Sequence, residues 1–241
     1  MRKIYYSLSP ELRLTARKVL FAPLDFWESV TGRRHPYQPP RGAIYIGSGD
    51  FIAQGKHQLD LLRRYAELQP EHAVLDVGSG IGRTAVALTD YLNSEGRYEG
   101  FDVVEQGVRW CQQKIGRDFS NFKFRYVPLH NDLYTSTGQR AAQFSFPYAD
   151  NQFDCVFLFS VFTHMQLEEV AHYLKEIGRV LKPGGRCLST FFYYNDACEA
   201  QISAGNNGFF FPEKRDTYRL MDAKVKSANI AFHESVLKEM L

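Results

Sequence analysis

Between residues 73 and 194 the sequence holds five short apolar runs: "AVLDV" (73–77), "RYEGFDV" (97–103), "FKFRYV" (122–127), "FDCVFLF" (153–159) and "RCLSTFFYY" (186–194). Helix-like stretches at about 83–92, 105–116 and 166–181 separate them, with one long polar loop before the fourth run. Strands that alternate with helices are joined by crossovers, and crossovers build a parallel sheet. Uninterrupted apolar strands such as "VFLF" suit a sheet covered on both faces. The pattern predicts an α/β fold with a doubly wound, mostly parallel sheet.

The first run leads into "VLDVGSGIGR", where Gly78, Gly80 and Gly82 crowd five positions between strand and helix. In such sheets ligands sit at the carboxyl ends of the strands. Gly78 lets the chain leave the strand, Gly80 lets backbone approach a ligand, and Gly82 lets the helix start close to the strand. A helix N-terminus there offers N–H donors to an anion. Asp102 ends the second run, 20 residues after Gly82, where a carboxylate can accept two hydrogen bonds from a ribose diol. The bland alternative for Asp102 is a cap for the next helix.

Two ligand classes carry such a ribose. The dinucleotide pattern is G-x-G-x-x-G, and "GSGIG" is one residue short of it. Asp76, directly before the turn, would repel a pyrophosphate and suit a ligand with an ammonium and a sulfonium. These features resemble the class I S-adenosylmethionine-dependent methyltransferases. "VLDVGSGIG" looks like their first motif and "GFDVV" like their second. "FPYADNQFDCVFLFSVFTH" is similar to their fourth-strand region, and "EIGRVLKPGGR" to the segment before the fifth. The resemblance covers about residues 50–194 and implies S-adenosyl-L-methionine as cofactor. It implies that Asp76, Gly78, Ser79, Gly80 and Gly82 surround the methionine moiety, that Asp102 holds the ribose and that Val103 packs on adenine. Phe159 and Ser160 follow the fourth strand and join the same set. Many members read the adenine amine with an Asp after the third strand. Here "YVPLHNDLY" offers Asn131 or Asp132.

Methyl transfer from a sulfonium is an in-line displacement that needs alignment and a water-poor site. A base is required only where the acceptor must lose a proton. His164, in "SVFTHM", is the candidate base, with a backbone-bonded structural role as the alternative. His130 is a second choice, while His35, His57, His72, His172 and His233 read as surface or packing residues. No residues have metal-ligand spacing. Tyr45, Phe51 and Gln54 are candidates to close the methionine end, and Phe51 reads equally well as core.

The chain divides into an N-terminal helical arm or lid with its linker (1–49), the cofactor-binding α/β domain (50–194) and a helical C-terminal segment (195–241). In the arm a helix is expected over 9–22, capped by Ser9 and stopped by Pro23. Seven basic residues among its first 34 interleave with apolar ones, which suits a lid on the site better than a membrane surface. After Tyr194 the sequence reads as helix at 218–227 and 233–241, with no further strand. The sheet is therefore expected to lack its usual closing strand hairpin, as a truncated form would. The apolar fifth strand would then need cover from 195–217, from the arm or from a second copy in a homodimer.

The chain has 241 residues, 44% of them hydrophobic, enough for a sizeable core. Net charge of +2 gives no general pull toward nucleic acid. The four cysteines form no CxxC pair, and Cys155 and Cys187 read as buried thiols in a reducing cytoplasm. No long apolar span and no signal-peptide core are present. The leading expectation is an O-directed methyltransferase for a small-molecule or lipid-linked acceptor. The alternatives are an NAD-dependent oxidoreductase and a catalytically silent cofactor-binding subunit.

Overall fold

A computed structural model describes residues 10–47, 49–131, 138–204 and 210–241. Five parallel strands form the central sheet: β1 (Ala73–Val77), β2 (Arg97–Asp102), β3 (Phe122–Tyr126), β4 (Phe153–Leu158) and β5 (Leu181–Ser189). Their order is β3-β2-β1-β4-β5, so the chain reverses direction of winding at β1 and β4. This is the doubly wound sheet that the alternating pattern predicts.

The connecting helices are α3 (Arg83–Thr89) after β1, α4 (Glu105–Asp118) after β2 and α5 (Leu167–Val180) after β4. Each buries one face. Val108, Cys111 and Ile115 of α4 recur at helical spacing and pack in one core layer. Val170, Tyr173 and Ile177 of α5 do the same in the opposite layer. Along β1 the side chains alternate between layers: Ala73, Leu75 and Val77 enter one, Val74 the other. The same alternation puts Asp76 on the face of Val74.

The stretch "KPGG" (182–185) forms a bulge at the start of β5: Leu181 pairs with Phe153, while Arg186 pairs with Cys155.

Two helices precede the sheet, α1 (Pro10–Val30) and α2 (Phe51–Tyr65). Asp50 caps α2, its Oδ1 accepting from the Ala53 N–H at 2.7 Å. The expected end of α1 at Pro23 is corrected, because the helix continues to Val30. A proline removes one helical hydrogen bond and crowds the turn before it. Tertiary bonds hold the second half in place. Asp25 accepts from the Arg41 and Gly42 N–H groups at 2.6 and 3.0 Å, and Glu28 accepts from Arg41 Nε at 2.6 Å. Ser9 lies outside the described residues.

The C-terminal expectation is corrected in part. The five-stranded sheet does end at β5. Beyond it, however, the run read as one strand over 186–194 breaks at Thr190 and Phe191. Its second part, β6 (Phe192–Tyr194), enters a separate four-stranded sheet with β7 (Glu213–Lys214), β8 (Tyr218–Leu220) and β9 (Ile230–His233), in the order β6-β9-β8-β7. The segment 218–227, expected helical, holds β8 and a short 3-10 turn at Lys226–Ala228. These strands are two to four residues long, too short to show a period, and form because β6 offers an edge to pair with. Two helices complete the region, α6 (Asp196–Ser203) and α7 (Glu234–Met240), the second where the sequence placed it. Cys155 is buried as expected, but Cys187 is exposed on the outer strand β5.

Candidate functional site

A cavity of about 490 Å³ opens at the carboxyl ends of β1, β2 and β4. Asp76, Gly78, Ser79, Gly80, Asp102, Val103, Asn131, Phe159, Ser160 and His164 all line it. Gly82 does not. It starts α3 and packs against Cys111 and Ile115 of α4, which ties the turn to the helix behind it. Asp132 lies outside the described residues.

The turn is closed by its own backbone. The N–H groups of Gly78 and Ser79 both donate to the Phe101 carbonyl, at 2.9 and 3.0 Å. The Gly80 N–H donates to Asp102 Oδ2 at 2.8 Å, and Asp102 Oδ1 accepts from the Val104 N–H at 2.8 Å. These three N–H groups of the turn are therefore taken by neighbouring oxygens and do not count among the donors expected at the N-terminus of α3. A pyrophosphate at this turn meets two carboxylates, Asp76 and Asp102.

Gly78 has φ of 81°, and a Cβ there would lie 2.4 Å from Val161 Cγ2. Both the left-handed backbone and the close approach demand glycine. Ser160, two residues past the end of β4, also has positive φ, 62°, which is costly for a residue with a side chain. Its N–H donates to Thr190 Oγ1 at 2.8 Å, and its carbonyl accepts from Thr163 Oγ1 at 2.9 Å.

Asp76 is buried, and burial raises its pKa to about 7, with nearby Asp102 adding to the rise. The Tyr98 hydroxyl opposes the shift by donating to Asp76 Oδ2 at 2.7 Å. Burial likewise raises Asp102 to about 6, against the lowering effect of its backbone donors. Two buried carboxylates side by side favour a cation between or beside them. Ser79 Oγ is buried with no partner among the described residues.

His164 sits in a 3-10 turn at Phe162–His164. Its Nδ1 lies 2.8 Å from the Ser227 carbonyl oxygen, which can only accept, so Nδ1 carries the hydrogen. Burial lowers its pKa, and the Ser227 and Ala228 carbonyls work the other way.

Of the three residues considered for the methionine end, Tyr45 lines the cavity, Phe51 is core and Gln54 is exposed. Arg83, which the sequence reading passed over, lines the same cavity and donates to the Ile46 carbonyl at 2.7 Å. Its only sequence signal was its place one residue after the glycine turn. His130 lines the cavity too. Among the described residues, no group of three or more His, Cys, Asp or Glu could hold a metal.

Residues 75–189 match the family model Methyltransf_11, a methyltransferase domain. A demethylmenaquinone methyltransferase of Geobacillus kaustophilus is 33% identical over 56% of this chain and 52% of its own length. The uncharacterized methyltransferase YcgJ of Bacillus subtilis is 30% identical over 59% of this chain and 49% of its own. The ubiquinone/menaquinone biosynthesis C-methyltransferase UbiE of Teredinibacter turnerae is 30% identical, over 68% and 59%. The chain thus spans about half the length of the curated relatives it matches. The crystal structure of the PH0226 protein of Pyrococcus horikoshii shares the fold, with TM-score 0.55 and 20% identity over 88% of this chain and 87% of that one. The sheet order, the glycine turn and the family match together make residues 75–189 a methyltransferase domain of the class I S-adenosylmethionine-dependent kind.

Proposed function

We propose that the chain transfers the methyl group of S-adenosylmethionine to a hydroxyl oxygen of a small, largely apolar acceptor. The observation that carries this reading is that the two carboxylates and His164 share one cavity. When bound, S-adenosylmethionine supplies a methyl group already activated on a sulfonium. The cavity fits it. Asp102 has lone pairs to accept from a ribose diol, while Asp76 and the Ser79 hydroxyl, without a partner among the described residues, suit an ammonium end. Arg83 supplies the positive charge that the methionine carboxylate needs. Val103 and Leu129 offer apolar surface to adenine, with Asn131 beside them as donor or acceptor.

His164 holds its Nδ1 hydrogen against Ser227 and is kept neutral near pH 7 by burial. A neutral imidazole in that tautomer has its basic lone pair on Nε2 and takes the acceptor's hydroxyl proton there. Phe159, Met165 and Phe192 line the cavity and keep water scarce.

The relatives named as C-methyltransferases favour a second reading, in which a carbon of an aromatic ring is the nucleophile. A ring hydroxyl that gave its proton to His164 would make the neighbouring ring carbon nucleophilic, and the hydrogen on that carbon would leave as a proton once the methyl is attached, so His164 keeps its role.

The test is turnover of the full chain with S-adenosylmethionine and a panel of hydroxyl-bearing aromatic and aliphatic acceptors, read by mass spectrometry. An O-methyl product supports the first reading and a ring C-methyl product the second. Cofactor binding by calorimetry without turnover of any acceptor points to a silent subunit. Tight NAD binding without S-adenosylmethionine binding rejects both readings.

A further inference from the structure

Helix α1 is inside out. Its inward face carries Leu14 and Phe21 with the charged pair Asp25 and Glu28. Those two acids are tied to the body of the protein through Arg34, Arg41 and the Gly42 N–H. Its outward face carries Val19, Leu20, Leu24, Phe26, Trp27 and Val30, all exposed. At 3.6 residues per turn these six fall within one arc of under half the helix circumference. Val19 and Leu20 are each 72% exposed and Phe26 is 70% exposed. A contiguous apolar face of this kind marks an interaction surface.

We propose that this face docks on an anionic lipid surface, laying α1 in the headgroup region with the cavity beside it. Charge selects this occupant. Residues 1–34 carry seven Lys and Arg against three Asp and Glu. Two of the three acids, Asp25 and Glu28, are turned inward and paired, which leaves Glu11 as the remaining acid of the segment. Arg33 lies 4.5 Å over the Trp27 ring, placing a cation beside an amphipathic aromatic at the end of the apolar arc. A second copy docked on the same face would bring the segment's excess of cations against its own copy, whereas lipid phosphates neutralise that excess. Among the described residues no helix is long and apolar enough to cross a membrane, so α1 lies on the surface and does not span it. Leu14, on the inward face, lines the cavity. The helix that meets lipid on one side therefore borders the site on the other, and an acceptor dissolved in the bilayer has a short path to it.

Lipid docking is independent of the methyltransferase reading and is tested without cofactor. The full chain is floated with vesicles of phosphatidylcholine alone and of phosphatidylcholine with phosphatidylglycerol, at physiological salt. Binding to the anionic vesicles is expected, with at least a tenfold lower partition coefficient for Leu20→Glu/Phe26→Glu. Both sites are solvent-exposed, so circular dichroism and melting should be unchanged. Arg33→Glu, which leaves the apolar face intact, should weaken binding to the anionic vesicles alone. No binding of the wild type to anionic vesicles overturns the proposal. So does equal partitioning of wild type and Arg33→Glu, or a dimer in solution that Leu20→Glu/Phe26→Glu splits into monomers.

Discussion

The Tyr98 hydroxyl donates to Asp76 Oδ2 at 2.7 Å, across the gap that Gly100 leaves between β2 and β1. Gly100 stands opposite Asp76 in the strand register, and a Cβ there would lie 2.7 Å from the Tyr98 oxygen. The Tyr98 ring stacks on Phe122 at 5.1 Å, which holds the hydroxyl in place. A tyrosine two residues from the glycine thus orients the carboxylate that faces the cavity.

Tyr98→Phe should keep the fold, because the ring and its stacking survive. It removes a bond that lowers the Asp76 pKa, so that pKa rises further above about 7. A cationic ligand binds the ionised carboxylate better. Affinity for S-adenosylmethionine should therefore fall at pH 7 by about 1.5–3 kcal/mol, the scale of a hydrogen bond to a charged group. Calorimetry from pH 6 to 9 should show the affinity midpoint moved to higher pH.

Asp76→Asn should stabilise the ligand-free protein at pH 8 while weakening cofactor binding. The Asp76 pKa is raised from 3.8 to about 7 on folding. Stability tied to its protonated form is present below the unfolded value and is lost as pH rises through the folded one. Asparagine never ionises and does not incur that loss. A melting temperature several degrees higher than wild type at pH 8 is expected, with the difference shrinking toward pH 4. Differential scanning calorimetry at both pH values checks this.

Asp102→Ala should weaken S-adenosylmethionine binding by about 1–3 kcal/mol. The side chain also accepts from Gly80 and Val104, so the variant loosens the turn itself. Asp102→Asn keeps the size and one acceptor oxygen, and should bind with intermediate affinity. Wild-type affinity in both variants would remove Asp102 from the ribose site.

His164→Ala should lower turnover by about 10²–10⁴ with cofactor affinity nearly intact. It also releases the Ser227 carbonyl, so a loss of about 1 kcal/mol in stability is expected. Single-turnover rates followed against pH separate the two effects. A base leaves a titration in the wild type that the variant lacks.

The alternating strands, the glycine turn, Asp76 and Asp102 were legible because each is local. A strand shows as an apolar run, a turn as clustered glycine, and Asp102 by its distance along the chain from that turn. The set from Asp76 to His164 that lines the cavity was readable for the same reason, since sheets of this kind gather their strand ends at one edge.

Tertiary structure decided the rest. Tyr98 and Gly100 could not be tied to Asp76 without the register of β1 against β2, which no single strand encodes. The same holds for α1, whose continuation past Pro23 depends on Arg41 and Gly42 meeting Asp25 and Glu28. The C-terminal strands exist because the chain turns at Thr190 and presents β6 as an edge. Local sequence sets what a segment can do alone, and pairing over a distance, with the hydrogen bonds it satisfies, determines what it does.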